Sequence, residues 1–268
     1  CLNTSKGHFK WGNLIAISPD GKYIVSESTD GTIKVSDFKT GECLNTSKGH
    51  SKWGNSIAIS PDGKYIIVSG SDDKTIKVSD FKTGECLNSL EGHSERIESI
   101  AISPDGKYIV TGDRNGTIKV WDLKTGECLN TLEGHSNWIN SIAISPDGKY
   151  IVSGSGDKTI KIWDFKTGEC LNTLEGHFDW INSIAISPDG KYIVSGDRYR
   201  TIKIWDFKNI NNIYSIDLSF DISIDNEGFF KGNIENIDKY IRVSEKPLTT
   251  RKLTSEEINH FTKKGSFI

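Results

Sequence analysis

One tandem repeat limits what this chain can fold into. The stretch CLNTLEGHSNWINSIAISPDGKYIVSGSGDKTIKIWDFKTGE, residues 128–169, recurs with small edits along most of the sequence. Its copies lie 42 or 43 residues apart and begin at Cys1, Cys43, Cys86, Cys128 and Cys170. A unit of this size cannot bury its own apolar face, so we expect the copies to stack on one another in one domain.

Four short apolar segments in each copy predict four antiparallel strands. In the copy at 128–169, residues 128–132 form one segment and INSIAIS at 139–145 alternates apolar and polar side chains, as a half-buried strand does. Ser-Pro-Asp-Gly at 145–148 has proline and glycine where a type I turn favours them. Further strands are predicted at 150–153 and 159–163, and helical periodicity is absent from the unit.

Four-stranded units of about 40–45 residues are typical of the blades of a β-propeller. A degenerate sixth copy is recognisable at 213–245, where residues 222–230 match IAISPDGKY and 240–245 match the strand TIKVSD. This copy lacks a fourth strand, which the CLNTS segment at 1–5 would supply. We therefore predict an all-β fold of six blades, closed by pairing of the N-terminal strand with the C-terminal blade, so that both sheet edges are covered.

The propeller is expected to span residues 1–245, followed by a tail at 246–268. Thr254-Ser255-Glu256-Glu257 is a capping-box pattern and predicts a short helix from about Ser255 to Lys264. In the second copy, Ile67 is an extra residue that should force a bulge or a register slip in its strand.

Composition disfavours several classes of function. With 33 basic and 36 acidic residues the net charge is −3, and no basic stripe suggests binding to nucleic acid. The apolar runs are far shorter than the roughly 20 residues that span a membrane. The five cysteines share one repeat position, so we expect small buried side chains without disulfides, which indicates the reducing cytoplasm. A chain without methionine that starts inside a repeat is expected to be a fragment of a longer protein.

With GH, SPDG, SGSGD and WD in order, the copies resemble the WD-repeat (WD40) family of β-propellers. The resemblance implies a hydrogen-bonded set of tryptophan, serine or threonine, histidine and aspartate in each blade. Only the fourth copy is assigned all four residues, namely His135, Ser153, Asp157 and Trp163. The other copies are assigned His8, Ser26 and Asp30; His50, Ser69 and Asp73; His93, Thr111 and Trp121; and His177, Ser195 and Trp205. Serine replaces the tryptophan at Ser36 and Ser79, and the acid's place is taken by Asn115 and Tyr199.

Serine, histidine and aspartate together also suggest a hydrolase. The set recurs in every copy, however, and an enzyme does not need several copies of one triad. The histidines lie a whole blade apart, so they cannot converge on one metal ion. We therefore expect no enzyme activity, no cofactor and no metal.

Positions that vary between near-identical copies predict a partner-binding surface. They follow each GH or precede each WD strand, and the resemblance implies that both loops open on one face. Tryptophan and arginine dominate binding energy in interfaces, although a tryptophan recurring in four copies could equally cover the neighbouring blade. The candidates are Trp11, Trp53, Arg96, Trp138, Trp180, Arg114, Arg198, Tyr199 and Arg200.

The sequence thus predicts a non-enzymatic scaffold that binds a protein or peptide on this face. We expect a monomeric propeller within a larger assembly in the cytoplasm, with no nucleic-acid or membrane partner. The alternative is a sensor or targeting module of a larger protein whose effector or catalytic domain lies outside this sequence.

Overall fold

The structure is a computed structural model, and it describes residues 8, 12–29, 32–63, 65–70 and 73–207, together with five strand segments between 215 and 252. For residues 12–13, 65–70 and the segments after 207 only the backbone is described. All regular secondary structure in this part of the chain is β-strand.

The first twenty strands form five groups of four. Their bounds are β1 Gly12–Ile17, β2 Tyr23–Ser28, β3 Thr32–Asp37, β4 Cys43–Lys48; β5 Gly54–Ile59, β6 Tyr65–Gly70, β7 Ile76–Asp80, β8 Cys86–Leu90; β9 Ile97–Ile102, β10 Tyr108–Asp113, β11 Ile118–Asp122, β12 Cys128–Leu132; β13 Ile139–Ile144, β14 Tyr150–Ser155, β15 Ile160–Asp164, β16 Cys170–Leu174; β17 Ile181–Ile186, β18 Tyr192–Asp197, β19 Ile202–Asp206 and β20 Ser215–Leu218.

Each group is an antiparallel sheet in chain order, which confirms the predicted four-stranded blades. The first strands of the five blades, β1, β5, β9, β13 and β17, contact one another in succession. Each blade takes its fourth strand from the start of the next copy, so neighbouring copies are interlocked along the array.

The fifth sheet continues past its fourth strand, which differs from the expectation for the sixth copy. A short hairpin, β21 (Ser223–Ile224) with β22 (Phe230–Lys231), occurs where the sequence predicts one. The predicted third strand, β23 (Ile241–Glu245), instead pairs with β20, and β24 (Thr249–Lys252), in the predicted tail, pairs with β23. An open outer edge accepts further strands readily because its backbone groups are unpaired. The predicted closing strand at 1–5 and the helix at 255–264 lie outside the described residues.

Local turn chemistry explains why so short a sequence folds into four strands. The Ser145 hydroxyl donates to Asp147 Oδ1 at 2.6 Å, and Gly148 completes the turn at a φ of 70°, which glycine adopts without strain. At the other hairpin, Asp164 of the WD pair accepts the backbone N–H groups of Lys166 and Thr167 at 3.0 and 2.7 Å.

The apolar core lies in the seams between blades. At the seam between the third and fourth blades, one cluster joins Val110, Ile118, Val120 and Leu132 to Ile139, Ile142, Ile151 and Trp163. Similar clusters join the second to the third blade and the fourth to the fifth. Burying an isoleucine or valine contributes about 1.5–3 kcal/mol, so each blade is stabilised by the apolar side chains of its neighbour.

The cysteines contradict the prediction that they are buried. Cys43, Cys86, Cys128 and Cys170 are free thiols and exposed. Each begins the fourth strand of a blade, which has no partner on its outer side, and the first residues of that strand face solvent. The Cys43 thiol contacts only nearby polar atoms of its own strand, the carbonyl oxygen of Asn45 at 3.3 Å and the Thr46 hydroxyl at 3.4 Å.

The seam between the first two blades is built differently. Glu27 stands where later copies have Gly112 and Gly154, and Gly54 stands where they have an isoleucine. In the later seams that isoleucine fills the space beside the glycine, since a Cβ at Gly154 would lie 2.6 Å from Ile181 Cγ2. A Cβ at Gly54 would overlap the Glu27 carboxyl group. A large and a small side chain have therefore exchanged sides at this seam.

We expect this exchange to behave as a unit. Gly54→Ile alone should lower the free energy of unfolding by about 1–3 kcal/mol because the new side chain meets Glu27. Glu27→Gly combined with Gly54→Ile restores the pair found in the later seams and should recover most of that loss. Urea unfolding of the two single variants and the double variant measures the coupling, and strictly additive effects would contradict it.

The free energy of unfolding should also depend on whether the Glu27 carboxyl group is protonated. Its side chain is 1% exposed, and neither carboxyl oxygen has a hydrogen-bond partner among the described residues. Burial, reinforced by Asp73 and opposed by Lys77, raises the pKa of Glu27 from 4.5 to about 8. Between these values the unfolded chain loses the proton while the folded chain keeps it, so stability falls as pH rises and levels off above the folded pKa.

Glu27→Gln should remove this dependence because the amide does not ionise. Relative to this variant, the native protein should lose on the order of a few kcal/mol between about pH 5 and about pH 9. Urea unfolding of both proteins at the two pH values provides the measurement. A constant difference in unfolding free energy would show that Glu27 keeps an ordinary pKa.

Candidate functional site

The loops that carry most of the predicted partner-binding residues lie at one end of the blades. Because the strands are antiparallel, the loop before the first strand and the loop between the second and third strands meet at the same end, which we call the loop face. Backbone hydrogen bonds of 2.8–2.9 Å join the two loops in three blades, from Arg114 N to Arg96 O, from Gly156 N to Trp138 O and from Arg198 N to Trp180 O.

A buried hydrogen-bond network lies beneath this face in the fourth blade. Trp163 Nε1 donates to Ser153 Oγ at 2.8 Å, Ser153 Oγ lies 2.8 Å from His135 Nε2, and His135 Nδ1 lies 2.7 Å from Asp157 Oδ2. The carboxylate can only accept, so Nδ1 carries the imidazole proton and Nε2 accepts the serine hydroxyl. The indole, hydroxyl, imidazole and carboxylate groups of this network are thereby all hydrogen-bonded, which buried polar groups require.

The third and fifth blades have the same network, with an aspartate at a position where the sequence analysis expected none. His93 Nδ1 lies 2.8 Å from Asp113 Oδ2, and His177 Nδ1 lies 2.9 Å from Asp197 Oδ2. The prediction that Asn115 and Tyr199 leave these blades without an acid is therefore wrong. The carboxylate sits two residues earlier, at the end of the second strand, and still reaches the imidazole because the turn folds back over it.

The remaining members of these two networks are also in place. His93 Nε2 lies 2.7 Å from Thr111 Oγ1, which accepts Trp121 Nε1 at 2.9 Å. In the fifth blade, His177 Nε2 lies 2.6 Å from Ser195 Oγ, which accepts the indole N–H of Trp205 at 2.8 Å.

The first blade has only part of the network. His8 Nε2 lies 2.9 Å from Ser26 Oγ, and its Nδ1 lies 2.9 Å from Thr32 Oγ1. Asp30 lies outside the described residues. Ser36, buried and paired across the sheet with Ile24, occupies the place of the tryptophan.

The second blade keeps its histidine–acid pair, with His50 Nδ1 2.8 Å from Asp73 Oδ2. Its hydroxyl position is changed by the extra residue. The extra residue Ile67 forms no bulge, because β6 pairs with β7 in continuous register from Tyr65 to Ser69 and with β5 from Ile66 to Ser69. The predicted bulge or register slip therefore takes the form of a slip. Val68 therefore lies opposite Lys77, where the other blades have the network hydroxyl, and Ser69 is displaced by one position.

Serine, histidine and aspartate have the relative order of a catalytic triad here, but the arrangement cannot meet a substrate. Ser153 has no solvent exposure, and its Oγ already accepts the indole N–H of Trp163. Burial raises the pKa of Asp157, yet hydrogen bonds from His135 and Thr159 outweigh it and hold that pKa well below its ordinary value. The network therefore has a structural role, in which it holds the loop before the first strand against the second and third strands.

Above the networks, charged side chains connect the second and third blades. Glu98 lies where other copies have asparagine, and its Oε1 forms ion pairs with Arg96 Nε, at 3.0 Å, and with Arg114 Nε. Arg96 Nη2 also donates to Asn55 Oδ1 of the second blade. Glu98 was not among the predicted site residues, although it is an acid in one copy where the other copies have asparagine.

From Arg114 a row of stacked side chains, Arg114, Trp138 and Trp180, runs over the third, fourth and fifth blades, and we call it the ladder. The Arg114 guanidinium lies 3.8 Å from the ring centroid of Trp138, a cation–π distance. Trp138 in turn packs on Trp180, with ring centroids 5.3 Å apart. Both tryptophans are half-buried, so they cover a blade seam and still present an edge to solvent.

Other candidates on the loop face are open to solvent, as is Phe178, which was not among the predicted residues. Trp53 is 57% exposed, Phe178 is 74% exposed and Tyr199 is 73% exposed. Arg198 and Arg200 are exposed beside them, whereas Trp11 lies outside the described residues. The structure therefore separates a paired ladder in the middle blades from exposed aromatic side chains at either end.

No metal-ligand cluster of three or more histidine, cysteine or acidic residues occurs in the described part of the chain. Within the same residues, no helix has the length and hydropathy to cross a membrane.

The corrected network yields a test in the third blade. Asp113→Ala should lower the free energy of unfolding by about 1–3 kcal/mol because it leaves the buried His93 N–H without an acceptor. The exposed Asn115→Ala should change it by no more than about 0.5 kcal/mol. Thermal or urea midpoints of the two variants provide the comparison, and equal shifts would contradict the assignment of Asp113.

Two family models match the chain. The one described as "WD domain, G-beta repeat" matches residues 1–37 and 41–80, and the one described as "IFT122 first beta-propeller" matches residues 96–209. No curated protein gives a significant match. The matched ranges contain the repeats whose sheets and networks are described above. The chain therefore belongs to the WD40-repeat β-propeller family.

Proposed function

We propose that this chain is a non-enzymatic scaffold that binds a protein or peptide partner on its loop face. WD40 propeller domains generally mediate protein–protein interaction. The observation that carries the proposal is the Arg114–Trp138–Trp180 ladder, where tryptophan and arginine side chains remain partly exposed on an ordered surface. Such side chains supply most of the binding energy in protein interfaces.

The absence of enzymatic activity is part of this proposal. The hydroxyl groups that resemble catalytic nucleophiles, those of Thr111, Ser153 and Ser195, are buried and hydrogen-bonded. Free thiols at four repeat positions support a reducing compartment, and we place the protein in the cytoplasm.

We further propose that the propeller is a monomer within a larger assembly and has six blades, closed by the strand at 1–5. The hairpin β21–β22 at the expected place supports a sixth unit, although β23 extends the fifth sheet. A module of a longer protein is the alternative, favoured by the match of residues 96–209 to a domain described as a first propeller. The full-length gene sequence distinguishes the two.

The double variant Trp138→Ala, Trp180→Ala tests the loop face. If it retains the native melting temperature, partner capture from a cell lysate should fall about tenfold or more, because two interface side chains are lost. Lys107→Ala with Lys149→Ala is the matched control, since both lysines are exposed in turns at the opposite end of the blades. Unchanged capture by the tryptophan variant, or equal loss in the control, would count against the loop face.

A further inference from the structure

Five side chains of the fifth blade form a distinct group at the edge of the loop face. Phe178 and Trp180 precede β17, while Arg198, Tyr199 and Arg200 lie between β18 and β19. Phe178 and Tyr199 are among the most exposed large apolar side chains of the described residues. The Arg198 guanidinium lies 5.6 Å from the ring centroid of Trp180. We call this group the fifth-blade corner.

The two arginines of the corner differ from those of the third blade in their charge partners. Arg96 and Arg114 both form ion pairs with Glu98, so that acid already balances their charge. Among the described residues, neither Arg198 nor Arg200 forms an ion pair. The nearby Asp179 has one carboxyl oxygen occupied by the backbone N–H of Trp180, at 2.8 Å. The corner therefore has two arginines and one carboxylate, that of Asp179, and in the described part of the chain no acid forms an ion pair with either arginine.

The backbone of the corner is held in place by the network beneath it. Arg198 N donates to Trp180 O at 2.8 Å and joins the two loops. Asp197, which holds His177, also accepts the backbone N–H of Thr201 at 2.8 Å through its other carboxyl oxygen. Both bonds fix the turn before any ligand arrives, and such preorganisation lowers the entropy lost on binding.

The equivalent position of the fourth blade shows that the repeat does not require this chemistry. There the sequence has Ser136 for Phe178, Gly156 for Arg198 and Asp157 for Tyr199, and only Lys158 matches a charge of the corner. The fold of the blade is the same in both, since both networks and both loop-joining bonds are present. The corner therefore adds something other than stability of the blade.

We propose that the fifth-blade corner binds an acidic segment of a partner protein, with carboxylates on Arg198 and Arg200 and an apolar side chain between Phe178 and Tyr199. This rests on the proposed function and names the chemistry of the partner. Arginine is suited to carboxylates because its guanidinium donates two parallel hydrogen bonds, and the flanking aromatic side chains supply apolar contact area. Opposite charge at the edge of an interface also steers association.

Fluorescence anisotropy with two labelled pools of short random peptides tests the corner. One pool is rich in Asp and Glu and the other in Lys and Arg, and both contain the same apolar and aromatic residues. The acidic pool should bind in preference to the basic pool, and more weakly as salt is raised. A single-stranded oligonucleotide serves as a third probe for a purely electrostatic site.

Arg198→Gln with Arg200→Gln should weaken binding of the acidic pool about tenfold or more, since two charge-assisted contacts are lost. Lys158→Gln with Lys74→Gln is the matched control because these lysines share the turn position and the positive φ of Arg200. The control should bind as the native protein does, and thermal melting shows that each variant is folded.

Equal binding of both pools, no binding of the acidic pool, or equal loss in the lysine control would overturn the assignment of the corner. Binding of the oligonucleotide in place of the acidic pool would do so as well. If lysate capture is lost in the Trp138 and Trp180 variant but unchanged by the arginine substitutions, the loop face stands and the corner assignment fails. Failure of both experiments would overturn both proposals.

Discussion

Each blade of this protein depends on its neighbour for the burial of its apolar side chains. The clusters that contain Trp121, Trp163 and Trp205 each combine strands of two successive blades. A four-stranded sheet alone would leave one of these faces in water, at a loss of about 25 cal/mol for each Å² of apolar surface. The seams are therefore the units of stability, and a change on one side is felt on the other.

The seam between the first two blades is filled by different side chains from those of the later seams. Ser79 takes the place of the tryptophan, and among the residues whose side chains are described the buried cluster here contains Val25, Ile33, Val35 and Phe81. Glu27 occupies the space left by Gly54 but has no hydrogen-bond partner among the described side chains. A buried carboxyl without a partner lowers stability when it ionises. This seam therefore has Ser79 and Gly54 where the later seams have tryptophan and isoleucine, and it buries the carboxyl group of Glu27.

The buried networks connect this scaffold to its surface. His135 and His177 belong to the loop before the first strand, while Asp157 lies in the turn between the second and third strands and Asp197 ends the second strand. The same loop carries Trp138 or Trp180, and the same turn carries Arg198, so a bond below the surface sets the positions of side chains on it. Surface residues of these loops can then vary between copies without loss of the fold, because the network and not the surface residue holds the loops.

Local patterns predicted a large part of the fold. Alternating segments such as INSIAIS and the turn at 145–148 appear as strands and hairpins at the expected places, because hydrogen bonds and side-chain alternation within a few residues decide them. Position-by-position comparison of the copies failed where a residue at a neighbouring position supplies the same group. Asp113 serves in place of residue 115, and Ser69 is displaced because the extra residue is carried to the end of its strand without forming a bulge.

The sequence by itself determined the repeat, the four-stranded unit and the family, since all three depend on patterns within about forty residues. Only the tertiary structure decided that the cysteines face solvent, that Glu27 lies against Gly54, and that Arg114 lies over Trp138. These facts depend on which surfaces of successive blades meet, and a repeat pattern read one copy at a time does not contain that information.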